Sequence, residues 1–436
     1  MNTVKKHICL LLGLLLLLSV PALAETPAEP VDYAGQLRLN MASETVKAEV
    51  TVRTFIDGDT THFNVPAGVT ESGVLKARYL AVNTSEVTGK IEEYGKKAAA
   101  FTKEKLSSAV SIIVESDTAQ WNLDSTGDRH LVWVWYKTEE SAEYRCLNIE
   151  LLQNGLCIAN STANNRYGST AMAAINQARA LKLNVHSGQK DPDFYYGDAI
   201  ELTLKELRTN LQAYNGMKVA FSGVITMNSS NSVFIESYDP ETGMYYGMSV
   251  YYGYGLSGKG LEILNVGNEA RIVGTLQYYE AGGTWQVSGL TYRMMKPKDP
   301  GNIQLLSKGH APAYVLTSPE TFVNGQVSIR SEESETAYAY AELAMSTSIE
   351  MHDLKVKHVY TTDNEDSSSN GAMTLTCEGD GVTVLVRTAV LTDPDGKLVT
   401  DDAFWGKTID VRGVVDYFDG KHQVKVLTLD NITIHD

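Results

Sequence analysis

The sequence predicts a mainly β protein with helices (α+β), organised as a small Greek-key barrel followed by two related β modules. Between residues 46 and 136, five short runs that alternate apolar and polar residues surround an amphipathic helix. A second amphipathic helix follows, and the C-terminal half repeats one strand–glycine–hairpin pattern. Short strands with inserted and appended helices favour a barrel over a sandwich.

The chain begins with a predicted signal peptide, residues 1–24. Two lysines precede the apolar run 8–18, and residues 22–24 match a cleavage pattern, so we expect cleavage after Ala24. The run falls short of the roughly 20 residues needed to span a bilayer. Residues 25–45 contain scattered prolines and glutamates and are interpreted as a linker. We therefore expect a secreted protein with no membrane attachment after cleavage.

The first module, predicted over residues 46–190, contains its elements in a clear order. Alternation on Val46, Ala48, Val50 and Val52 predicts the first strand. Four further strands and two helices are predicted in this module: strands at 61–65, 74–82, 110–115 and 130–136, and helices at 90–106 and 169–185.

The C-terminal half contains an internal repeat, GNEARIVGTLQYYEAGGTWQV from Gly267 and GKTIDVRGVVDYFDGKHQV from Gly406. In each copy a strand contains a glycine at a point of tight curvature, Gly274 or Gly413, and a glycine hairpin follows. The repeat loosely resembles OB-type barrels.

Two small OB-like modules are therefore predicted, over residues 196–297 and 313–436. The Pro- and Gly-rich segment 296–312 is expected to join them, and the Ala- and Glu-containing segment 334–346 is expected to form a helix leading into the second module.

The formal net charge of −16, from 37 basic and 53 acidic residues, is unusual for a protein that binds phosphates. The charge is unevenly distributed. Residues 45–190 carry 16 basic and 16 acidic side chains, whereas residues 191–436 carry 18 and 33. The acidity therefore argues against strong nucleic-acid binding by the C-terminal modules, and not against phosphate chemistry in the first.

Three cysteines remain after the signal, namely Cys146, Cys157 and Cys377, an odd number that does not suit a disulfide framework. A bridge between Cys146 and Cys157 is conceivable, but the segment between them is predicted to be a short helix ending at Gly155, which would hold the two thiols apart. Their spacing also lacks the pairs typical of a metal site.

Polar residues at strand ends of the first module suit phosphodiester cleavage. Asp57-Gly58-Asp59-Thr60 follows a strand, Arg78 lies in another, and Asn83-Thr84-Ser85-Glu86 ends it, while Arg129 opens a later strand. Carboxylate and hydroxyl oxygens are ligands that Ca²⁺ prefers. Two arginines can make bidentate contacts to one phosphate.

At these residues the sequence resembles the staphylococcal (thermonuclease-type) nucleases, over about residues 46–190. Any one motif is weak evidence, but six in the family's order are specific: IDGDT at 56–60, ARYLAVNTSE at 77–86, EYGKKAAAFTKEKL at 93–106, GDRHLVWVWY at 127–136, QNGL at 153–156 and KLNVHS at 182–187. The resemblance implies a five-stranded OB barrel with three helices and a Ca²⁺-dependent nuclease activity on DNA and/or RNA.

The resemblance also implies a metal site. Asp59 matches a calcium carboxylate, and Thr84 matches the residue whose backbone carbonyl binds the ion. Asn83 stands where the family has its second calcium carboxylate, so one formal charge is missing. An amide oxygen can still bind Ca²⁺, but the affinity should be lower because ligand charge helps to set it.

The implied catalytic residues are Arg78, Arg129 and Glu86. The two arginines match the pair that binds the scissile phosphate, and Glu86 matches the carboxylate that orients or deprotonates the attacking water. The alternative is that these arginines are ion-pair partners of Asp59 and Glu86 in an inactive barrel. The chain would then be a catalytically impaired, exported nucleic-acid- or ligand-binding protein.

Aromatic residues offer two further hypotheses. The family's pair of tyrosines, which stack on the substrate base and hydrogen-bond its phosphate, would fall near Ser161 and Ala163. Neither residue can do this, and Tyr167 is a candidate substitute. In the first C-terminal module, aromatic residues either form a stacking platform for bases or sugars or simply cover strand faces. The ligand of the C-terminal modules stays open. The residues of this candidate platform are Tyr245, Tyr246, Tyr251, Tyr252, Tyr254 and Trp285.

Overall fold

The computed structural model describes residues 29–435 with the exception of residues 88, 281, 331–334 and 365–366. The predicted signal peptide lies outside the described residues. Among those described, no helix is long and apolar enough to cross a membrane.

The first barrel is a closed ring of five strands, β1–β2–β3–β6–β5, in which β3 and β6 are parallel and the other neighbours antiparallel. This is the OB arrangement that the sequence predicts, so the fold class is confirmed. The strands are β1 Lys47–Phe55, β2 Thr60–Asn64, β3 Val74–Tyr79, β4 Val82–Thr84, β5 Ser111–Ser116, β6 His130–Lys137, β7 Arg145–Cys146 and β8 Cys157–Ala159. The helices are α1 Tyr33–Gln36, α2 Gly95–Ser107, α3 Leu147–Gln153 and α4 Gly168–Ala180, with 3-10 turns at Thr162–Asn164 and Asn184–His186.

Two helix boundaries differ from the prediction for local reasons. The helix expected from residue 90 begins at Gly95, because Tyr94 has a left-handed φ of 62°. Its backbone N–H donates at 2.6 Å to the buried carboxylate of Asp191. The helix expected to reach residue 185 ends at Ala180, since Lys182 has a positive φ of 53°.

The N-terminal segment from residue 29, interpreted as part of a linker, packs on the first barrel. Ala34 in α1 is fully buried in the barrel core. The carboxylate of Asp32 accepts two hydrogen bonds from the guanidinium of Arg145, each at 2.9 Å, and one from Gln153 at 3.0 Å. The linker interpretation therefore does not describe this part of the chain.

The three cysteines of the described chain are free and buried. The predicted short helix after Cys146 is α3, and it separates Cys146 from Cys157 along the chain. Burial raises the pKa of the Cys377 thiol to about 12.

The first C-terminal module is a second OB ring, β10–β11–β12–β14–β13, with β12 and β14 parallel. Ile303 is fully buried in its core and β15 pairs with β13, so the module extends into the segment predicted to be a join. We call it module 1. Its elements are β9 Ile200–Glu201, α5 Leu204–Thr209, β10 Lys218–Ser229, β11 Ser232–Asp239, β12 Met244–Tyr251, α6 Lys259–Ile263, β13 Asn268–Tyr279, β14 Thr284–Ser288 and β15 Gln304–Lys308.

The second C-terminal module, module 2, repeats that topology as the ring β19–β20–β21–β23–β22, with β21 and β23 parallel. The internal repeat is therefore structural. A Cβ at Gly274 would lie 2.6 Å from a carbonyl oxygen of the neighbouring strand, and one at Gly413 would lie 2.4 Å from another. The elements are β16 Val315–Leu316, α7 Pro319–Asn324, β17 Gln326–Arg330, β18 Glu335–Ala339, α8 Tyr340–Leu343, β19 Ser348–Thr361, β20 Met373–Gly379, β21 Val382–Thr388, β22 Thr408–Phe418, β23 Lys421–Val426 and β24 Ile432–His435, with 3-10 turns at Asp401–Ala403 and Leu429–Asn431.

The helix predicted over residues 334–346 is wrong for most of its length. Residues Glu335–Ala339 form β18, which pairs with β17 in a two-stranded sheet. Only Tyr340–Leu343 is helical, because the backbone of Ala339 is extended and gives the helix its N-terminal limit. Alanine and glutamate content favours a helix, but pairing with a neighbouring strand overrides such a weak preference.

Modules 1 and 2 are joined through two buried charged side chains. The guanidinium of Arg208 donates to the carbonyl of Gly247 and, at 3.2 Å, to the carbonyl of Met345 in module 2. The carboxylate of Glu236 accepts from the backbone N–H and the hydroxyl of Ser348, at 2.7 and 2.8 Å. Because these groups are buried, separating the modules would leave hydrogen-bonding atoms unpaired.

We expect Gly247→Ala to destabilise this junction, because the added Cβ would lie 2.5 Å from the backbone carbonyl carbon of Ser346. Overpacking of this kind costs about 1–3 kcal/mol. Gly255→Ala is the matched control, since a Cβ there meets no atom within 4 Å. Thermal unfolding checks the prediction: the first transition of Gly247→Ala should fall by several degrees and that of Gly255→Ala should not. Equal transitions would contradict a close-packed junction.

Candidate active site

The candidate site lies where the β1–β2 turn, β3 and β4 meet. The pairing of β2 with β3 places Thr60 opposite Arg78, and the N–H of Tyr79 donates to the carbonyl of Asp59 at 2.9 Å. Ala81, with a left-handed φ of 69°, turns the chain between β3 and β4. This turn brings Asn83 back to the side chain of Arg78. Asp59 and Asn83, which are 24 positions apart, therefore contact the same guanidinium.

Asp59 is fully buried, and both of its carboxylate oxygens accept hydrogen bonds. Its Oδ1 accepts from the Arg78 guanidinium and from the Thr60 hydroxyl, and its Oδ2 accepts from the Thr84 backbone N–H at 2.8 Å. Burial and the negative charge of Asp57 raise the pKa of Asp59 to about 7, although the Arg78 charge and the Thr84 N–H oppose that rise. Asp59 is therefore a buried charge that depends on its partners.

Arg78 bridges Asp59 and Asn83. Its Nη1 donates to Asp59 and its Nη2 donates to the amide oxygen of Asn83. Only 13% of the Arg78 side chain is exposed. The guanidinium thus donates hydrogen bonds to side-chain oxygens of the two residues that the resemblance assigns to Ca²⁺.

The residues present do not fit Ca²⁺ as they are arranged. The ion takes six to eight oxygen ligands. Here one carboxylate and one amide oxygen converge, and both already accept from the cationic Arg78. Across the described residues, no group of three or more His, Cys, Asp or Glu side chains is placed to hold a metal ion.

Glu86 lies close enough to both arginines for their charges to act on it. Its carboxyl is partly buried, and burial and the charge of Asp57 raise its pKa, while Arg78 and Arg129 lower it. The loop that carries Glu86 is closed on itself, because the Glu86 N–H donates to the Glu92 carboxylate at 3.1 Å and the Glu92 N–H donates to the Glu86 carbonyl at 3.0 Å.

Arg129 is held at the rim of the site by Asp124. The guanidinium Nε donates to the Asp124 carboxylate at 2.7 Å, and 34% of the Arg129 side chain remains exposed. Burial would raise the pKa of Asp124, but hydrogen bonds from Thr126 and Arg129 lower it to about 2. Asp124 therefore stays charged and orients Arg129 across the ordinary pH range.

Asp57 stabilises the β1–β2 turn, since its Oδ1 accepts from the Asp59 N–H at 3.1 Å. Tyr167 does not replace the family's stacking tyrosines. Its ring lies edge-on to Trp133 and Trp135, at centroid distances of 5.1 and 5.5 Å, and its hydroxyl donates to Glu115 at 3.0 Å. Tyr167 is therefore part of the barrel packing.

Sequence reasoning missed a contact between the Glu86 loop and module 1. The amide of Gln277 donates to the carbonyl of Val87 at 2.8 Å, and the hydroxyl of Ser288 donates to Gln277 at 2.5 Å. A Cβ at Gly89 would lie 3.6 Å from the ring of Tyr251. Contacts across 190 residues leave no local signal in the sequence. Module 1 thus supports the loop that carries Glu86.

The fold and the site define a five-stranded OB-type barrel with two arginines, a partly buried glutamate and a buried aspartate at one end. Residues 76–187 of the chain match the family model described as "Staphylococcal nuclease homologue". The predicted resemblance is confirmed over that segment, which has a nuclease-type fold. It contains Arg78, Asn83, Thr84, Glu86 and Arg129 and begins after Asp59. A comparison with curated proteins finds no match.

We expect Arg78→Gln to destabilise the first barrel much more than Arg129→Gln. Removing one partner of a buried ion pair costs about 3–5 kcal/mol, whereas the rim pair of Arg129 should contribute about 1 kcal/mol or less. Chemical denaturation of the two variants measures the difference. Similar losses for both would mean that the Arg78 bridge does not compensate the charge of Asp59.

The loss in Arg78→Gln should grow with pH. The folded-state pKa of Asp59 is raised from 3.8 to about 7, so its contribution to stability declines as the pH rises between those values. Without the Arg78 charge that pKa rises further, and the decline extends above pH 7. A pH-independent loss would contradict this assignment.

Proposed function

We propose that the first barrel belongs to a secreted protein and hydrolyses phosphodiester bonds of DNA and/or RNA. The observation that carries the proposal is the pairing of β3 with β6, which places Arg78 opposite Leu131 and so brings Arg78 and Arg129 to neighbouring strands at one end of the barrel. Burial raises the pKa of the nearby Glu86, and the charges of both arginines act on Glu86 and lower that pKa. Phosphoryl transfer requires positive groups around the phosphate and a positioned base for the nucleophile. The matched family and the predicted signal peptide support the same proposal.

In the proposed reaction the partly exposed guanidinium of Arg129 and that of Arg78 bind non-bridging oxygens of one phosphodiester. Glu86 accepts a proton from a water molecule while the water oxygen forms a bond to phosphorus. The ester P–O bond breaks, and the leaving oxygen takes a proton from solvent. The raised pKa of Glu86 favours this role, because a base acts best when its pKa approaches the working pH.

The resemblance also implies that the activity depends on Ca²⁺, with Asp59, Asn83 and Thr84 as ligands of the ion. The bridging guanidinium of Arg78 argues against these donors as they stand, so the steps above use this chain's own side chains. The same bridge favours the second candidate function, an exported binding protein with a catalytically impaired barrel.

A cleavage assay separates the two candidate functions. The mature chain should cut single-stranded DNA or RNA, and Glu86→Gln should lower the rate about 10²–10⁴-fold because the base is lost. Glu104→Gln, on the exposed face of α2, is the matched control and should leave the rate unchanged. No cleavage of either substrate, with or without Ca²⁺, would overturn the hydrolase proposal in favour of the binding protein.

Asn83→Asp should tighten Ca²⁺ binding roughly tenfold, because it adds a second carboxylate beside Asp59. Calorimetry in the presence of a nucleotide 3′,5′-bisphosphate measures the affinities of the variant and the unaltered chain. Asn176→Asp, at an exposed position of α4, adds the same charge elsewhere and should have no effect. An unchanged affinity in Asn83→Asp would mean that residue 83 does not face the ion.

A further inference from the structure

A cleft of about 830 Å³ lies between the first barrel and module 1. One wall is formed by helix α2 and the β1–β2 turn of the first barrel, and the other by strands β12, β13 and β14 of module 1. A cleft of this volume is large enough for a ligand of several rings. Neither the first barrel nor module 1 forms it alone.

The module 1 wall is aromatic. Tyr278 and Trp285 face each other across the β13–β14 pair, with ring centroids 5.3 Å apart, and Tyr279 and Tyr251 lie on the same wall. Tyr278 is 43% exposed, so part of its ring is free for contact. These rings offer flat apolar faces to a planar ligand.

Only two residues of the predicted platform lie in this cleft, namely Tyr251 and Trp285. Tyr246 is fully buried in the module 1 core, and Tyr254 is 92% exposed outside the cleft. Alternation along β12 separates Tyr246 from Tyr251, since side chains an odd number of positions apart point to opposite faces, and Tyr254 lies in a turn beyond the end of β12.

The first-barrel wall is largely apolar, but it also carries Asp57 and two lysines. Lys96 and Lys103 are exposed on α2, about two turns apart, and Lys103 also pairs with Glu280 at 2.6 Å. Their positive charges lie opposite the aromatic wall, while the side-chain amides of Gln212 and Asn215 lie at the same cleft. The cleft therefore combines stacking faces, hydrogen-bonding groups and cations.

The cleft reaches the candidate active site through Asp57 and Val87, which both line it. Asp57 accepts the backbone hydrogen bond of Asp59 and influences the pKa of Glu86, and Val87 follows Glu86 directly. A ligand in the cleft therefore lies beside the residues proposed to act on a phosphodiester.

Charge within the C-terminal half does not oppose an anionic ligand here. Residues 196–297 carry 7 basic and 9 acidic side chains, whereas residues 313–436 carry 9 and 21. The acidity thus belongs mainly to module 2. The cleft itself is lined by two lysines and by two carboxylates, Asp57 and Glu280, so the charges balance and affinity must come chiefly from stacking.

We propose that this cleft binds single-stranded nucleic acid and leads it into the active site, which rests on the function proposed above. Bases stack on Tyr251, Tyr278 and Trp285, and the phosphates lie along Lys96 and Lys103. The strand must be unpaired, because aromatic rings reach base faces only outside a duplex. Module 1 is thereby the substrate-positioning part of the protein.

The test measures fluorescence anisotropy of a labelled oligothymidine of about 12 nucleotides with the full mature chain. All proteins carry Glu86→Gln so that the strand stays intact. Trp285→Ala and Tyr251→Ala should each weaken binding by between about 5-fold and 150-fold, the range for loss of one stacked base. Tyr254→Ala, outside the cleft, should bind as the parent does, and a duplex of the same length should bind more weakly than the single strand.

Trp285→Phe keeps a stacking ring and should retain most of the affinity, which separates stacking from a folding defect. The affinity should fall only slightly as the salt concentration rises, because the two lysines neutralise about two phosphates. Unchanged binding in both alanine variants, or equal binding of the duplex, would overturn the cleft proposal even if the chain cuts nucleic acid. Cleft-dependent binding without cleavage by the unaltered chain would instead overturn the hydrolase proposal alone.

Discussion

The Arg78 guanidinium, hydrogen-bonded to both Asp59 and Asn83, is the interaction on which the candidate site depends. Asp59 is fully buried, and a charged carboxylate in such a position requires a partner. Arg78 supplies the partner and ties the β1–β2 turn to β3 and β4. The same bridge uses the oxygens that a metal ion would need. One interaction therefore stabilises this end of the barrel and sets the chemistry available there.

The fold and the main site residues could be predicted because their signals are local. Alternating strands, the order of six motifs and the repeated Gly274/Gly413 pattern each lie within short stretches of sequence. The sequence predicts the Arg78 ion pair only as an alternative, since a motif names residues without fixing which of them pair. The prolines of the N-terminal segment around Ala34 predict a linker, but its burial depends on packing against helices α3 and α4, which are distant in sequence.

The contacts between modules could not be predicted, since they join distant parts of the chain. Gln277 supports the Glu86 loop, and Glu236 and Arg208 fasten module 1 to module 2. Each of these polar side chains would be unremarkable on its own strand or helix. Together they place module 1 against the active-site loop on one side and the acidic module 2 on the other. The same OB topology thus occurs three times in the chain, and each copy has different neighbours.

The central claim is that a phosphodiester of a single strand lies between Arg78, Arg129 and Glu86. A crystal structure of the mature chain carrying Glu86→Gln, with a bound single-stranded oligonucleotide, tests it most directly. We expect one phosphate within hydrogen-bonding distance of both guanidinium groups, and a neighbouring base on Trp285. An oligonucleotide bound away from this site, with Arg78 bonded only to Asp59 and Asn83, would contradict the account.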